Sequence, residues 1–233
     1  MAAAQDELKK EELTINEKLN EFIQKNRKIL FLGLIAVIVV LIAFIAGFSI
    51  NEKIRSNAFS KIDAFSRRYD ALRYFVNSEE SEAVSKQADI NALLEEINAF
   101  AAKQSGFAAA QAYSISAGIY GDQKKWAEAE NAWKLSARYG AKSYLGPVSA
   151  FNAAVAAEEQ GNIEGALVQY ANAIAGGNSF PAAARAQFSI GRLQESMNNR
   201  DAALDAYRTL VSRWPNDPVW SNLAQSRIML LSD

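Results

Sequence analysis

The sequence contains no histidine and no cysteine among its 233 residues. It therefore has no imidazole general base, no Ser-His-Asp or Cys-His arrangement, no disulfide and none of the usual zinc ligands. The motifs G-x-x-x-x-G-K-[ST], G-x-G-x-x-G, G-x-S-x-G and S-x-x-K are also absent. We expect no enzyme activity, no catalytic residues, no cofactor and no bound metal.

The chain also lacks an excess of either charge, with 25 basic and 26 acidic residues. Without a basic field we expect no nucleic-acid partner. Only four prolines and twelve glycines interrupt the chain, which favours helices over loops. Neighbouring carboxylates such as Glu158 and Glu159 point in different directions on a helix, so we expect them to be solvated rather than paired.

One stretch lacks charge altogether. Ile29 to Ile50 spans 22 residues, and sixteen of them are Ile, Leu, Val or Phe. A helix of this length measures about 33 Å, enough to cross a hydrocarbon core of about 30 Å. Gly47-Phe48-Ser49 has the small-x-small form of a signal-peptidase site, but the run is too long for a signal peptide and a 28-residue tail precedes it. We predict that residues 29–50 form a transmembrane helix in a lipid bilayer.

Flanking charges orient this helix only weakly. Lys25, Arg27 and Lys28 precede the stretch, and Lys53 and Arg55 follow it. A short tail followed by a large domain is typical of a signal anchor. We expect residues 1–28 in the cytoplasm and residues 51–233 on the other side of the membrane.

The tail, residues 1–28, is predicted to contain a short amphipathic helix. A capping box at Thr14 to Glu17 marks its start. Ile15, Leu19, Phe22 and Ile23 follow at helical spacing between polar residues. Two interpretations remain: the helix lies on lipid head groups, or it docks on a partner membrane protein through Phe22.

Three stretches of the second half share one pattern. In each, an alanine precedes an aromatic residue by four positions, and the pairs recur every 37 residues. The three pairs are Ala129 with Trp133, Ala166 with Tyr170, and Ala203 with Tyr207. A small side chain lets two helices approach, and the ring one turn later fills the groove beside it. Polar turns read D-Q-K-K, Q-G-N and N-N-R and separate these helices from the ones before them.

The remaining helices complete the predicted array. First helices of the pairs are expected over Phe107–Tyr120, Val148–Glu159 and Pro181–Ser196, and a last helix after Asp217-Pro218 caps the array. Residues 106–233 therefore read as three helical pairs with a capping helix. An apolar stripe from Ile54 to Phe75, a polar break at 77–82 and a second stripe from Ile90 to Phe100 predict a divergent, membrane-proximal pair over residues 51–105.

This pattern resembles the tetratricopeptide repeat, whose signature combines W-x₂-L-G-x₂-Y, A-x₃-F and a proline over about 34 residues. The A-x₃-aromatic half is matched three times, and Pro215 matches the end of the third repeat. The predicted fold class is all-α: a single transmembrane helix followed by a tetratricopeptide-like α-solenoid of helical hairpins.

The concave face of such an array is the candidate protein-binding surface. By register, its first helices present two phenylalanines flanked by valines and arginines, which suits an extended peptide of mixed polarity. The candidates are Val148, Phe151, Val155, Arg185, Phe188 and Arg192. The alternative is that Phe151 and Phe188 belong to the core.

The whole layout resembles the YfgM-type ancillary subunits of the bacterial SecYEG translocon. The similarity includes Phe22-Ile23-x-x-Asn26-x-Lys28 before the span and Ile97-Asn98-Ala99-Phe100-Ala101 after it. It implies a bacterial inner-membrane protein with periplasmic repeats, and as partners the translocon and a periplasmic chaperone or unfolded secretory protein. The alternative is a structural or assembly subunit of another envelope machine, for secretion, division or appendages.

Overall fold

The computed structural model describes residues 2–74, 80–175 and 180–232, and within these ranges the chain forms helices and no strand. The helices are α1 (Ala2–Tyr74), α2 (Glu80–Ala101), α3 (Gly106–Asp122), α4 (Trp126–Tyr139), α5 (Leu145–Glu159), α6 (Ile163–Ala175), α7 (Ala183–Ser196), α8 (Arg200–Arg213) and α9 (Trp220–Ser232). The predicted all-α class is confirmed.

Residues 2–57, the first part of α1, belong to one unit. The helix begins at Ala2, well before the predicted capping box, because Ala, Glu, Lys and Leu dominate the first turns and all favour helix. α1 is long and apolar enough to cross a membrane, and none of its most apolar window is buried in the chain. A helix of this kind could be a membrane span or a signal anchor.

Residues 58–233 form the second unit. At its start, Ile62 and Phe65 of α1 are buried in one cluster with Leu93 and Ile97 of α2. Their burial agrees with the two predicted apolar stripes, whereas Ile54 is 59% exposed. The predicted stripe residue Phe75 and positions 77–79 of the polar break lie outside the described residues, and α2 begins at Glu80.

Three helical pairs follow: α3 with α4, α5 with α6, and α7 with α8. Ala129, Ala166 and Ala203 are all buried, as the close approach of paired helices requires. Tyr170 and Tyr207 are buried beside them. The helix starts differ slightly from the expected ones: α5 begins at Leu145, and α7 begins at Ala183, two residues after Pro181.

The turn inside each pair has the same construction. Lys124, Gly161 and Asn198 have φ angles of 56°, 74° and 61°, one left-handed residue per pair at the 37-residue period. In each turn the next amide N–H donates to the carbonyl five residues earlier at 2.9 Å, the bond that closes a Schellman motif. The three pairs therefore fold back at the same kind of corner.

Candidate peptide-binding surface

A cavity of about 620 Å³ lies between the α4–α5 connection and the segment that precedes α7. Its wall is mainly apolar. It is lined by Ala141, Lys142, Ser143, Tyr144, Pro147, Val148, Phe180 and Pro181. Among the described residues of the lining, Lys142 is the single charged one, so the cavity suits an uncharged, apolar segment of a partner better than an ion.

Two glycines shape the mouth of this cavity. A Cβ on Gly146 would lie 2.8 Å from the Gly140 carbonyl oxygen, so the end of α4 and the start of α5 meet at backbone distance. The Ser143 hydroxyl donates to the Gly140 carbonyl oxygen at 2.8 Å and closes the loop between them. The chain from 141 to 145 is thereby held as a short, fixed loop that carries Tyr144.

Tyr144 is 69% exposed at the rim of the cavity. Its ring lies 5.8 Å from that of Phe107, which lies 6.2 Å from the ring of Phe59. An exposed aromatic side chain beside an apolar cavity is a typical anchor point in protein interfaces. The sequence-based candidates omitted Tyr144 and Phe180; the signal available for them was an aromatic residue next to a proline-containing connection.

The structure brings three predicted site residues together next to the cavity. Val148 lines it. Phe151 is only 8% exposed and packs edge-on to Tyr170 at 5.3 Å between ring centroids. The exposed guanidinium of Arg185 lies 5.1 Å from the centre of the Phe151 ring. Phe151 is thus a core residue of the described structure, and Arg185 covers it.

The other predicted residues lie apart from this group. Val155 is half-buried against the same core, and Phe188 is half-buried between Tyr207 and Trp220, with 5.3 Å between centroids in both pairs. Arg192 forms an ion pair with Glu158. Phe22 is 56% exposed on α1 in the other unit. A role for these residues in partner binding stays a prediction.

A recurring cluster of tyrosine, carboxylate and arginine joins neighbouring helical pairs. Glu158 accepts hydrogen bonds from the Tyr170 hydroxyl at 2.5 Å and from Arg192 of the next pair. The expectation that Glu158 is solvated was therefore wrong, because its partners come from helices distant in sequence.

The same cluster recurs one repeat later, where Glu195 accepts from the Tyr207 hydroxyl at 2.7 Å and from Arg227 of α9. In the first pair the equivalent positions hold Gly121 and Trp133, so the carboxylate and the hydroxyl are missing together.

These contacts and the burial of the rings shift the pKa of Glu195, Tyr170 and Tyr207. The hydrogen bond from Arg227 is the main reason that the pKa of Glu195 lies below its usual range, and the hydrogen bond from Tyr207 adds to it. Burial, followed by the hydrogen bonds to Glu158 and Glu195, raises the pKa of Tyr170 and of Tyr207. At neutral pH Glu195 is therefore charged and both tyrosines are protonated. The clusters act as structural clamps between repeats.

We expect Glu195→Gln to lower the free energy of unfolding at pH 7 by about 1–2 kcal/mol, the low end for charged hydrogen bonds because Arg227 is half-exposed. Because the folded state lowers the pKa of Glu195, its contribution is present above the unfolded pKa near 4.5 and is lost as the pH falls through the folded value. The parent chain should therefore lose more stability on acidification than the variant.

Tryptophan fluorescence during denaturation measures this loss of stability, and Glu159→Gln, at an exposed carboxylate, is the matched control. Equal pH dependence in parent and variant would contradict the clamp.

Among the side chains that the structure describes, no group of three or more His, Cys, Asp or Glu is placed to hold a metal ion. At the cavity, the lining offers apolar contact, with Lys142 in the lining and Arg185 over the ring of Phe151 as cations.

Comparison with known proteins adds to this geometry. A family model described as tetratricopeptide repeat matches residues 185–217, which cover most of α7, all of α8 and the turn after it. The chain is also 30% identical over 226 residues to a protein of Treponema pallidum (strain Nichols) described as a TPR repeat-containing protein, with 92% of this chain and 93% of that protein covered.

Proposed function

Because the chain belongs to the tetratricopeptide-repeat-containing proteins, a family of generally non-enzymatic scaffolds for protein–protein interaction, we propose that it is a membrane-anchored scaffold whose repeat array binds a partner protein at the cavity beside Tyr144. The observation that carries this proposal is the apolar cavity with an exposed aromatic rim on an array of this family. The occupant is an extended, uncharged and largely apolar segment of the partner.

The anchor is the apolar stretch of α1. Its length and lack of charge suit a membrane span, and its most apolar window is not buried by any described part of the chain. We place the tail, residues 1–28, in the cytoplasm and the array, residues 106–233, on the far side, with the 51–105 pair between the membrane and the array. The flanking lysines and arginines support this orientation.

We further propose that the chain lies in a bacterial inner membrane beside the Sec translocon. There it would receive a periplasmic chaperone or an unfolded secretory segment at the cavity. The resemblance to YfgM-type subunits supports this location and these partners. The apolar lining of the cavity fits an unfolded segment, because exposed apolar residues distinguish such segments from folded surfaces. The alternative remains a subunit of another envelope machine.

The test is quantitative co-purification of the full chain from detergent-solubilised membranes. Tyr144→Ala removes the exposed ring and should reduce the recovery of translocon subunits, chaperone or secretory chains by about tenfold if the ring is an anchor of the interface. The matched control is Val168→Ala, which shortens a side chain that is 57% exposed on α6 and outside the lining of the cavity.

Equal recovery with both variants would contradict the proposed site. Recovery of a different envelope complex, lost with Tyr144→Ala, would keep the site and replace the translocon by the alternative partner.

A further inference from the structure

A second surface of the chain has a regular pattern that the repeat array does not explain. From Ile15 to Ile54, alternate steps of four and three residues mark one continuous line along α1, which we call the seam. Its members are Ile15, Leu19, Phe22, Asn26, Ile29, Gly33, Ala36, Val40, Ala43, Gly47, Ile50 and Ile54. This is a heptad repeat with Leu19 and Asn26 at a positions and Ile15 and Phe22 at d positions.

Outside the apolar stretch, the seam is defined by hydrophobicity. Between residues 15 and 28 the apolar side chains are Ile15, Leu19, Phe22 and Ile23, and all but Ile23 are seam members. Between residues 51 and 57 the large apolar side chain is Ile54, also a seam member. Every charged residue of these two segments lies off the seam. A helix that only entered a membrane would not need this order in its polar flanks.

Inside the apolar stretch, the seam is defined by size. Every position there is apolar or small, so hydrophobicity does not distinguish one face of the helix from another. Yet four of its five glycines and alanines, namely Gly33, Ala36, Ala43 and Gly47, are seam members. Small residues on one face let two membrane helices pack closely. Size inside the stretch and hydrophobicity outside it are independent properties, and both select the same face of α1.

The described part of the chain does not cover this face. Ile15, Phe22 and Val40 are 63%, 56% and 67% exposed, and no neighbour lies within 4 Å of a Cβ built on Gly33 or Gly47. The seam ends where the helix enters the second unit: Ala58 and Ile62, in the next turns, are buried in the membrane-proximal pair. An exposed heptad seam thus gives way to a packed face within one helix.

We propose that the seam pairs with the seam of a second copy of this chain, in parallel and in register, so that the protein is a dimer. A second copy in the same membrane has the same direction and the same small residues at the same depth. In a parallel pair, Asn26 at an a position faces its own copy, where two amides exchange hydrogen bonds and fix the register. One N–H of Asn26 already donates to the Phe22 carbonyl oxygen at 2.9 Å, and the second N–H and the oxygen remain to face the partner.

The charges beside the seam also fit a second copy. Lys18 and Lys25 occupy g positions, and in a parallel pair each faces position e of the next heptad on the other chain. Those e positions hold Ile23 and Leu30, which are uncharged, so no like charges oppose each other. The period of 3.5 residues indicates a left-handed crossing of the two helices.

This inference rests on the proposed function for one point only, the common orientation of α1 in a membrane. Partner binding at the cavity is independent of it.

The absence of cysteine makes a direct test simple. Single cysteines are introduced into the full chain, isolated membranes are treated with a mild oxidant, and the disulfide-linked dimer is quantified on non-reducing gels. The seam set is Leu19→Cys, Phe22→Cys, Asn26→Cys and Ile29→Cys, and the control set on other faces is Asn20→Cys, Gln24→Cys and Arg27→Cys. Same-position disulfides across this series form only if the two helices are parallel and in register.

We expect the linked fraction to be about fivefold higher for the seam set than for the control set, with a 3.5-residue period. A uniform or absent signal in chains that resist carbonate extraction from the membrane would overturn the dimer while leaving the scaffold proposal intact. Seam cysteines linked to a different protein would assign the face to that protein and also overturn the dimer. Chains that carbonate extracts would refute the membrane anchor, and with it both the shared orientation and the dimer.

Discussion

Gly191→Ala is expected to lower the free energy of unfolding of the repeat array by about 3 kcal/mol, the upper end for overpacking a core. A Cβ at this position would lie 2.5 Å from Cε1 and 2.7 Å from Cδ1 of Tyr207, a fully buried ring. The ring has little room to move, because its hydroxyl donates a hydrogen bond to the carboxylate of Glu195. The four tryptophans, at positions 126, 133, 214 and 220, all lie in the array, so tryptophan fluorescence during denaturation of the full chain in detergent measures this loss.

Gly118→Ala is the matched control, since Gly118 lies inside α3 and nothing is within 4 Å of its added Cβ. Alanine should stabilise that helix by about 0.5–1 kcal/mol, because glycine is the poorer helix former. Opposite signs for the two variants would confirm that the ring of Tyr207 requires glycine at position 191. A neutral Gly191→Ala would show that α7 and α8 are not packed as described.

Phe151→Ala is expected to destabilise the array by about 3–5 kcal/mol, the usual cost of deleting a buried aromatic side chain. The ring is 8% exposed and contacts the rings of Tyr170 and Phe180 as well as the guanidinium of Arg185. Loss of the ring leaves a cavity between α5, α6 and the start of the third pair. The same fluorescence measurement on the full chain gives the size of the effect.

The comparison variant is Tyr144→Ala. Because Tyr144 is 69% exposed, this substitution should change the free energy of unfolding by no more than about 0.5 kcal/mol. Together the two variants separate folding from binding: Phe151 acts on the fold and Tyr144 on the partner. If Phe151→Ala left the unfolding curve unchanged, the ring would be a surface residue and its predicted binding role would regain support.

The helical pairs were predictable because their signals are local and periodic. Ala166 and Tyr170 are four residues apart in sequence and one turn apart on α6, so the spacing alone indicates the packing face. The 37-residue period did the same for Ala203 and Tyr207. The length and composition of the apolar run likewise marked the exposed part of α1.

The site was less predictable because it depends on contacts between distant residues. The register placed Phe151 on the concave face, but burial depends on Phe180, which arrives from another segment. From the sequence, Glu158 was expected to be a solvated surface charge. Its partners Tyr170 and Arg192 lie on later helices and are revealed only by the fold. Tyr144 projects from a short loop that is held by the close approach of the backbone at Gly140 and Gly146. A hydrophobic pattern in the sequence does not indicate such a backbone contact.

The central claim is that the array binds a partner protein through the cavity beside Tyr144. The most direct measurement is in-cell photo-crosslinking with a probe at position 144, compared with a probe at position 168 on the exposed face of α6. We expect adducts from position 144 with a secretory chain, a chaperone or a subunit of an envelope complex, and about tenfold fewer from position 168. Equal labelling from both positions, or labelling from position 168 alone, would contradict it.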